Sequence, residues 1–464
     1  MKQFKYKKLF CLAAALLLVL GALSGCSASD AEEAVPPPAA EPAPVITPDS
    51  PAPVMVDIGG TEVEPSVTEL DLSGGCEPEA LLAAAPQLTE VTAIELGKTD
   101  LTAEQLAELR AAFPNAELTY TVELLGQELN QDTETLDLPG MDPAASAELA
   151  AVLPKLPQLE SVNFVSEDGI CAYTLETVSE LDQLRAAAPD VYFRVSFDLF
   201  GQTVTSEDIE IRYVDAAIGN EGLGQFYQVM PYLTSCEYLL LDECGIDNET
   251  MAQFRDDFPE VKIVWRIWMG SRYTVLTDVK KILASSDSEP KMEFHQAEDL
   301  KYCQDVVYLD LGHNRIPDIS FVESMPNLEV AVLAINYWTD ATPLASCSKL
   351  EYLEIFSTFV TDLTPLASLS NLRHLNICNT RITDATPLYA LTGLERLWVG
   401  CTTSLSNSSL AELREHLPNC EINTTTASPT AEGWRVHPRY DLLSEQFGYA
   451  EFDYCFWWDD EKFR

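Results

Sequence analysis

The chain has 464 residues, 74 acidic against 28 basic, and a formal charge of -46. A surface this acidic repels nucleic acid, anionic lipid and anionic wall polymers, which excludes nucleic acid as a partner and leaves basic partners, cations or plain solubility. After residue 25 no stretch is both apolar and long enough to span a bilayer.

Lys2, Lys5, Lys7 and Lys8 open the chain, and an apolar run follows from Leu9 to about Gly25. A basic start followed by an apolar run is the pattern of a secretory signal. The alternative is an N-terminal membrane span, but the run is short of the roughly 20 residues a span needs and ends in small residues. Its end, Leu23-Ser24-Gly25-Cys26, resembles the lipobox of bacterial lipoproteins. That resemblance implies cleavage before Cys26, lipidation of the Cys26 thiol, and residence on the outer face of the bacterial cytoplasmic membrane or the cell surface. Two or three acyl chains anchor durably, where one is marginal. Removing residues 1–25 takes away four lysines and no acid, so the mature charge is -50.

Residues 26–65 are rich in Ala, Pro and Glu, with Pro36-Pro37-Pro38 and Pro51-Ala52-Pro53. Dense proline favours an extended, disordered tether, on the order of 100 Å long at about 3.1 Å per residue.

Residues 66–275 contain a recurring signature. LRAAFPNAEL at 109–118, LRAAAPDVYF at 184–193 and FRDDFPEVKI at 254–263 align, and LREHLPNCEI returns at 413–422. Arg110, Arg185 and Arg255 match, as do Pro114, Pro189 and Pro259, and Gly126, Gly201 and Gly270 close the stretches that follow. Each long unit reads as strand, helix, strand, helix and a strand extended into a hairpin. The helix after Thr102 carries a capping box with Gln105 and buries Leu106, Leu109 and Phe113 at helical spacing. Cys244 stands at a ladder position in CEYLLLDEC. Gly219-Asn220-Glu221-Gly222-Leu223-Gly224 has the wrong order for a dinucleotide fingerprint and reads as a loop. Residues 276–305 break the pattern and read as a joint, with a helix near Asp278–Ser285 and a polar stretch at 286–290.

From Val306 the chain repeats every 22 residues, in units starting at Val306, Leu328, Leu350, Leu372 and Leu394. Position 4 holds Leu309, Ala331, Leu353, Leu375 and Leu397; position 6 holds Leu311, Leu333, Ile355, Ile377 and Val399; position 11 holds Ile316, Trp338, Val360 and Ile382, then Ser404. Position 9 holds Asn314, Asn336, Thr358, Thr380 and Thr402, and Thr-Pro-Leu recurs at Thr342, Thr364 and Thr386, where Thr reads as a helix N-cap and Pro as the first helical residue. Asp318, Asp340, Asp362 and Asp384 recur at position 13, read as turn caps rather than a calcium ladder. No unit buries its apolar face alone; stacking does that.

These units, at 306–424, resemble the short bacterial leucine-rich repeat of internalin-like proteins, and the shared signature ties 66–275 to the same family. The resemblance implies an α/β fold: a right-handed leucine-rich-repeat solenoid, strands on the concave side and short helices or 3-10 turns on the other. It implies that Asn at position 9 bonds neighbouring backbones, so Thr there weakens the ladder. It also implies a concave ligand face built from alternate strand residues: Tyr308, Val330, Tyr352, His374 and Arg396 at position 3, and Asp310, Val332, Glu354, Asn376 and Trp398 at position 5. Of these, Tyr308, Asp310, Tyr352, Glu354, His374, Asn376, Arg396 and Trp398 are the candidate site, for a protein or glycan ligand. An ordinary solvated face, or one covered by another part of the chain, is the alternative. The aromatic tail at 425–464 reads as a cap over the last apolar layer, with sugar stacking as the alternative.

Chemistry is sparse. His295, His313, His374, His416 and His437 fall in no metal spacing, and there is no P-loop, HExxH or EF-hand loop. No catalytic residue, metal or cofactor is expected, and the chain is read as a binding protein rather than an enzyme. Of twelve cysteines, Cys11 lies in the signal and Cys26 is the acylation site. The rest show no CxxC and read mostly as buried thiols, with few or no disulfides. The anchor is tested directly: Cys26→Ser should abolish lipid labelling and release the protein or leave its precursor uncut, and a processed mutant still held on membranes would refute lipidation.

Overall fold

The computed structural model describes residues 54–75, 77–270, 273–285, 291–400, 404–431 and 433–436. The signal, Cys26, most of the tether, the polar stretch 286–290 and the aromatic tail beyond 436 lie outside them. The chain divides into two units, Met1–Val54 and Met55–Arg464, and every described residue but Val54 belongs to the second. Among the described residues no helix is long and apolar enough to cross a membrane.

The fold is an α/β leucine-rich-repeat solenoid with a main apolar core running from Val56 to Trp434 and a small second cluster of Leu240, Val264 and Leu276. The folded body starts earlier than the tether boundary at 65. Val56–Asp57 pairs with Glu62–Val63, and Val56 and Ile58 are buried. Two apolar residues in a short hairpin suffice to close the first layer of the core, which the proline-rich composition around them obscured.

The irregular half is three long units. In the first, strands Glu69–Asp71, Ala93–Lys98 and Glu117–Leu124 run parallel, and the last turns back on Gln127–Asn130. The turn is Leu125-Gly126, both at positive φ (49° and 77°), the geometry of a two-residue type I′ hairpin. The second unit repeats this with Thr135–Asp137, Ser161–Asn163, Tyr192–Arg194 and the hairpin Ser196–Leu199/Gln202–Thr205. The third uses Glu210–Val214, Tyr238–Asp242, Lys262–Met269 and Tyr273–Leu276. The capping box forms as expected: the Gln105 amide donates to Thr102 Oγ1 at 3.2 Å and the Thr102 amide to Gln105 Oε1 at 2.9 Å. Leu106, Leu109 and Phe113 face the core.

The recurring arginine has a structural role. Arg185 Nη1 donates to the Pro231 carbonyl at 3.3 Å and Arg255 Nη1 to the Tyr302 carbonyl at 3.1 Å. Arg110 donates to the Tyr120 hydroxyl, which donates to the Lys155 carbonyl. Each helix is thereby tied to the return turn of the next unit. Residues 219–224 are not a loop: Gly219–Val229 is a helix with Leu223, Phe226 and Val229 inward. Gly222 is glycine because the Phe200 ring lies against it, and a Cβ there would stand 2.9 Å from the ring.

The regular half is a seven-stranded parallel sheet: Lys281–Leu283, Tyr308–Asp310, Val330–Val332, Tyr352–Glu354, His374–Asn376, Arg396–Trp398 and Glu421–Asn423. The register Tyr308↔Val330↔Tyr352↔His374↔Arg396 sets position 3 of each unit beside position 3 of the next. The expected joint is part of this sheet, because Lys281–Leu283 is a strand and not a helix. Ile282 points inward with Lys281 on the other face, the two-residue alternation of a strand, and Ala284, Met292, Ala297 and Leu300 complete the layer. The chain returns through 3-10 turns at Ser320–Ser324, Thr342–Ser346, Thr364–Ser368 and Thr386–Ala390, which stack on one another, and finally through the helix Asn407–His416.

Two local devices hold this ladder. Asn336 Nδ2 donates to the carbonyls of Leu311, Leu333 and Ala334, and its Oδ1 accepts from the Ile316 amide. Asn314 does the same one unit earlier, reaching Ala284 and Met292. Thr358 and Thr380 donate only within their own turn, to Ile355 and Ile377. Cys244 serves this position in the irregular half, with its thiol directed at the Tyr213 and Asp242 carbonyls. The return turns are capped by aspartate, and the threonine after it is the first residue of the turn. Asp318, Asp340, Asp362 and Asp384 accept from the amides of Ser320, Thr342, Thr364 and Thr386 at 2.7–2.9 Å. The N-cap expected of Thr thus belongs to the residue two places earlier.

The described cysteines, Cys171, Cys236, Cys244, Cys303, Cys347, Cys378 and Cys420, are all free thiols. Cys347 fills the core slot held by Leu369 and Leu391 in later units, and burial pushes its thiol up to about 11.

Leu375→Ala should cost about 2–5 kcal/mol, as for other buried leucines. Asn336→Ala should cost about 1–3 kcal/mol, because it strands buried backbone groups of two units, and more than Thr358→Ala; denaturant melts decide both. The Asp340 and Asp362 carboxyls are held below their ordinary 3.8 by hydrogen bonds from the hydroxyls and amides of Thr342 and Thr364. Their stabilising contribution is therefore full above that value and is lost as pH falls through the lowered folded one. Replacing both with Asn should flatten the acid limb of a stability–pH curve; an unchanged limb would show that the caps do not titrate with folding.

Candidate functional site

Six of the eight candidate residues come together on three adjacent strands, while Tyr308 and Asp310 lie beyond the intervening strand Val330–Val332. Strand pairing lines up Tyr352, His374 and Arg396, and beside them Glu354, Asn376 and Trp398. The row does not face solvent. Tyr352, Glu354, His374, Asn376, Arg396 and Trp398 are buried, Asp310 is buried, and Tyr308 is half-buried with Lys281 Nζ 5.8 Å from its ring centroid. The open ligand face expected from the repeats is therefore closed: the C-terminal segment, described at 424–431 and 433–436, lies across it.

That segment is held mainly through its backbone. Asn376 Nδ2 donates to the Pro429 carbonyl at 2.8 Å, Trp398 Nε1 to the Ala431 carbonyl at 3.4 Å, and Arg396 Nη2 to the Trp434 carbonyl at 2.9 Å. Trp434 is 0% exposed. Its indole packs 5.4 Å from Tyr352 and 5.1 Å from Trp398 by ring centroids, with Arg396 Cζ 4.3 Å from its own. Its Nε1 donates to Glu354 Oε1 at 2.7 Å. Glu354, only 1% exposed, also accepts from the Tyr352 hydroxyl at 2.5 Å and from Arg435 Nη2 at 3.2 Å. An aromatic slot thus closes over one carboxylate, which three donors satisfy.

The electrostatics follow from burial. The Tyr352 hydroxyl is raised well above its usual range, by burial first and then by the Glu354 charge, so it stays a donor. Burial lowers Arg396 from its ordinary value, with Tyr352, Glu421 and Glu354 opposing that change. Arg396 Nη1 has no hydrogen-bond partner among the described residues.

Position 5 also does local work. Asp310 accepts from the Gly312 amide at 2.8 Å and Asn376 from the Cys378 amide at 3.1 Å, so each steadies its own turn. The part of the tail expected to cap the last layer instead covers the strand face, because Tyr352, Trp398 and Arg396 offer it a larger apolar slot. Trp434, Arg435 and the carbonyls of Pro429 and Ala431 are the residues that sequence reasoning missed. Their signal was the face itself, where Tyr352 and Glu354 on one strand and Trp398 two strands on are poorly suited to water. Among the described residues, no group of three or more His, Cys, Asp or Glu is placed to hold a metal ion.

Glu354→Ala would leave the Tyr352 hydroxyl, the Trp434 indole and Arg435 without their shared acceptor, and should cost about 3 kcal/mol or more. Thermal or denaturant melts measure this, and a neutral substitution would mean the slot is wet.

No family model matches the chain, and no curated protein matches it. Among solved structures it is similar to an internalin C2 from Listeria monocytogenes, at 24% identity over 49% of this chain and 86% of that one, with a TM-score of 0.28. It is also similar to a second Listeria monocytogenes internalin, at 16% identity over 80% and 87% with a TM-score of 0.25, and to a leucine-rich-repeat protein of Leptospira interrogans, at 15% over 73% and 91% with a TM-score of 0.28. At these scores the fold is read from this chain's own strand pairing, which is that of a leucine-rich-repeat solenoid.

Proposed function

We propose that this is a non-catalytic recognition protein, exported and held by a lipid on Cys26 at the outer face of the cytoplasmic membrane, that binds a partner polypeptide across the strands of its regular repeats. The observation that carries this reading is the way that face already holds a chain segment. Asn376, Trp398 and Arg396 donate to three backbone carbonyls of a segment folded into tight turns and a short 3-10 helix, Trp434–Val436. The slot between Tyr352, Trp398 and Glu354 adds selection for an indole. Large rigid aromatics and arginine are the residue types that dominate binding energy at interfaces. The anchor rests on residues 1–26, and the strongly acidic surface keeps anionic polymers at a distance.

A second reading, a glycan ligand, has one observation in its favour, and it lies elsewhere. Tyr337 is 51% exposed, Phe359 lies 6.0 Å from it, and Arg381 Cζ stands 4.3 Å over the Phe359 ring. Such a row suits stacking on sugar rings. Trp398, which is buried, does not serve that purpose in this conformation.

A displayed peptide library, selected against the full chain and against its Trp434→Ala variant, tests the first reading. Selected peptides should carry tryptophan and lose about 2 kcal/mol or more of affinity on Trp398→Ala, while Glu351→Ala leaves binding intact. Recovery of no peptide by either form would refute it. A glycan array whose hits vanish on Tyr337→Ala would replace it with the second reading.

A further inference from the structure

We infer that the C-terminal segment around Trp434 is a displaceable ligand in cis, which keeps the strand face shut until a partner segment of like chemistry, a turn-forming peptide carrying tryptophan followed by a basic residue, takes its place. This rests on the reading of that face as a peptide-binding site.

Three observations carry it. First, the face bonds the segment the way a receptor bonds a peptide. Side-chain donors on two adjacent strands, Asn376 on one and Arg396 and Trp398 on the next, reach the carbonyls of Pro429, Trp434 and Ala431, and one indole enters a slot with a carboxylate at its end. Trp434 shares the core, but the segment adds no strand to the sheet: among the described residues the ladder ends at Glu421–Asn423, so side chains hold the segment to the face. Second, the fit is incomplete. Arg396 is 2% exposed, yet its Nη1 has no hydrogen-bond partner among the described residues while Nη2 holds the Trp434 carbonyl. A buried guanidinium with an unused donor favours any occupant that supplies a second acceptor. Third, the crossing is shaped by one glycine. A Cβ on Gly400 would stand 2.7 Å from the Thr426 amide nitrogen and 2.3 Å from Thr426 Cγ2. Gly400 lets the segment leave the last strand and turn onto the face, so a methyl group there should lift the segment while leaving every face residue in place.

The exchange is between equals. A partner peptide gains the same three carbonyl bonds and the same indole slot that the cis segment gives up, so its apparent affinity is the intrinsic one reduced by the fraction of molecules in which the segment is off. Weakening the cis contact raises that fraction and tightens binding in trans without altering the site.

The probe is a fluorescein-labelled synthetic peptide with the sequence of residues 425–436, titrated by anisotropy against the full chain. Gly400→Ala and Trp434→Ala should each bind it at least about tenfold tighter than the unaltered chain. Arg396→Ala in either background should abolish the gain, and a probe with its tryptophan replaced by alanine should not bind. Should either variant fold poorly, hydrogen exchange on the unaltered chain gives the answer without substitution. Amides of the segment should exchange faster than those of the strands around Leu353, Leu375 and Leu397, and saturating peptide should strip their protection while leaving the strands unchanged. Segment amides as slow as the strands and indifferent to peptide would overturn the proposal. So would well-folded variants that bind no better than the parent. Library peptides that bind parent and Trp434→Ala alike would leave recognition standing and remove only the cis ligand, whereas an absence of any selected peptide removes the recognition reading itself.

Discussion

Each repeat presents an apolar edge that only its neighbour can cover, and this requirement fixes most of what the molecule is. Core residues at positions 1, 4 and 6 must meet the same positions of the next unit, so the register is set by burial. Once it is set, positions 3 and 5 also fall side by side, and any choice made there becomes a row. Glu354 shows the consequence. Its ladder neighbours, Val332 and Asn376, offer no charge to pair with, so a buried carboxylate at this point has to be satisfied from outside the register. Tyr352 on its own strand and Trp434 and Arg435 from the C-terminal segment supply the donors. The segment is where it is because the row created the need for it.

The same segment compensates a second deficit. Asn314 and Asn336 make four bonds each, two within their own turn and two to the preceding unit, but at Thr358 and Thr380 the position-9 side chain bonds only within its own turn. The units that carry threonine there hold the strands Tyr352–Glu354 and His374–Asn376, and both meet the segment: Glu354 accepts from the Trp434 indole and Asn376 donates to the Pro429 carbonyl. Bonds missing between the turns of adjacent units are matched by bonds across the face. The face donors are as deeply buried as the ladder asparagines: Asn376 is 0% and Arg396 2% exposed, against 3% for Asn314 and 2% for Asn336.

The regular units, the hairpins and the capping box were legible because each has a short-range cause: apolar spacing, a glycine after a strand, a threonine three residues before a glutamine. The helix Gly219–Val229 was not, because three glycines in six residues read locally as a turn, and only the Phe200 ring packed on Gly222 explains one of them. The strand Lys281–Leu283 was missed because its unit carries extra residues before the next strand, which broke the period. At the site, stacking predicted which residues share a row. What covers the row was a long-range pairing, Glu354 with residues eighty positions later, and no local pattern encodes that.

Charge divides the labour between the two halves. In the irregular half the strand side chains that leave the core include Glu69, Asp71, Glu95, Glu117 and Glu123, all exposed. Fields from such charges fall off over about 8–10 Å at physiological salt, so they select who approaches rather than what is gripped. In the regular half the corresponding positions of three strands, Tyr352–Glu354, His374–Asn376 and Arg396–Trp398, are buried, and the C-terminal segment packs on them. A short, desolvated slot with one carboxylate and one arginine discriminates by geometry, since an indole that reaches Glu354 must also place its carbonyl on Arg396. Repulsion of anions at long range and a two-point fit at short range are physically independent: salt screens the first and barely touches the second, which is buried.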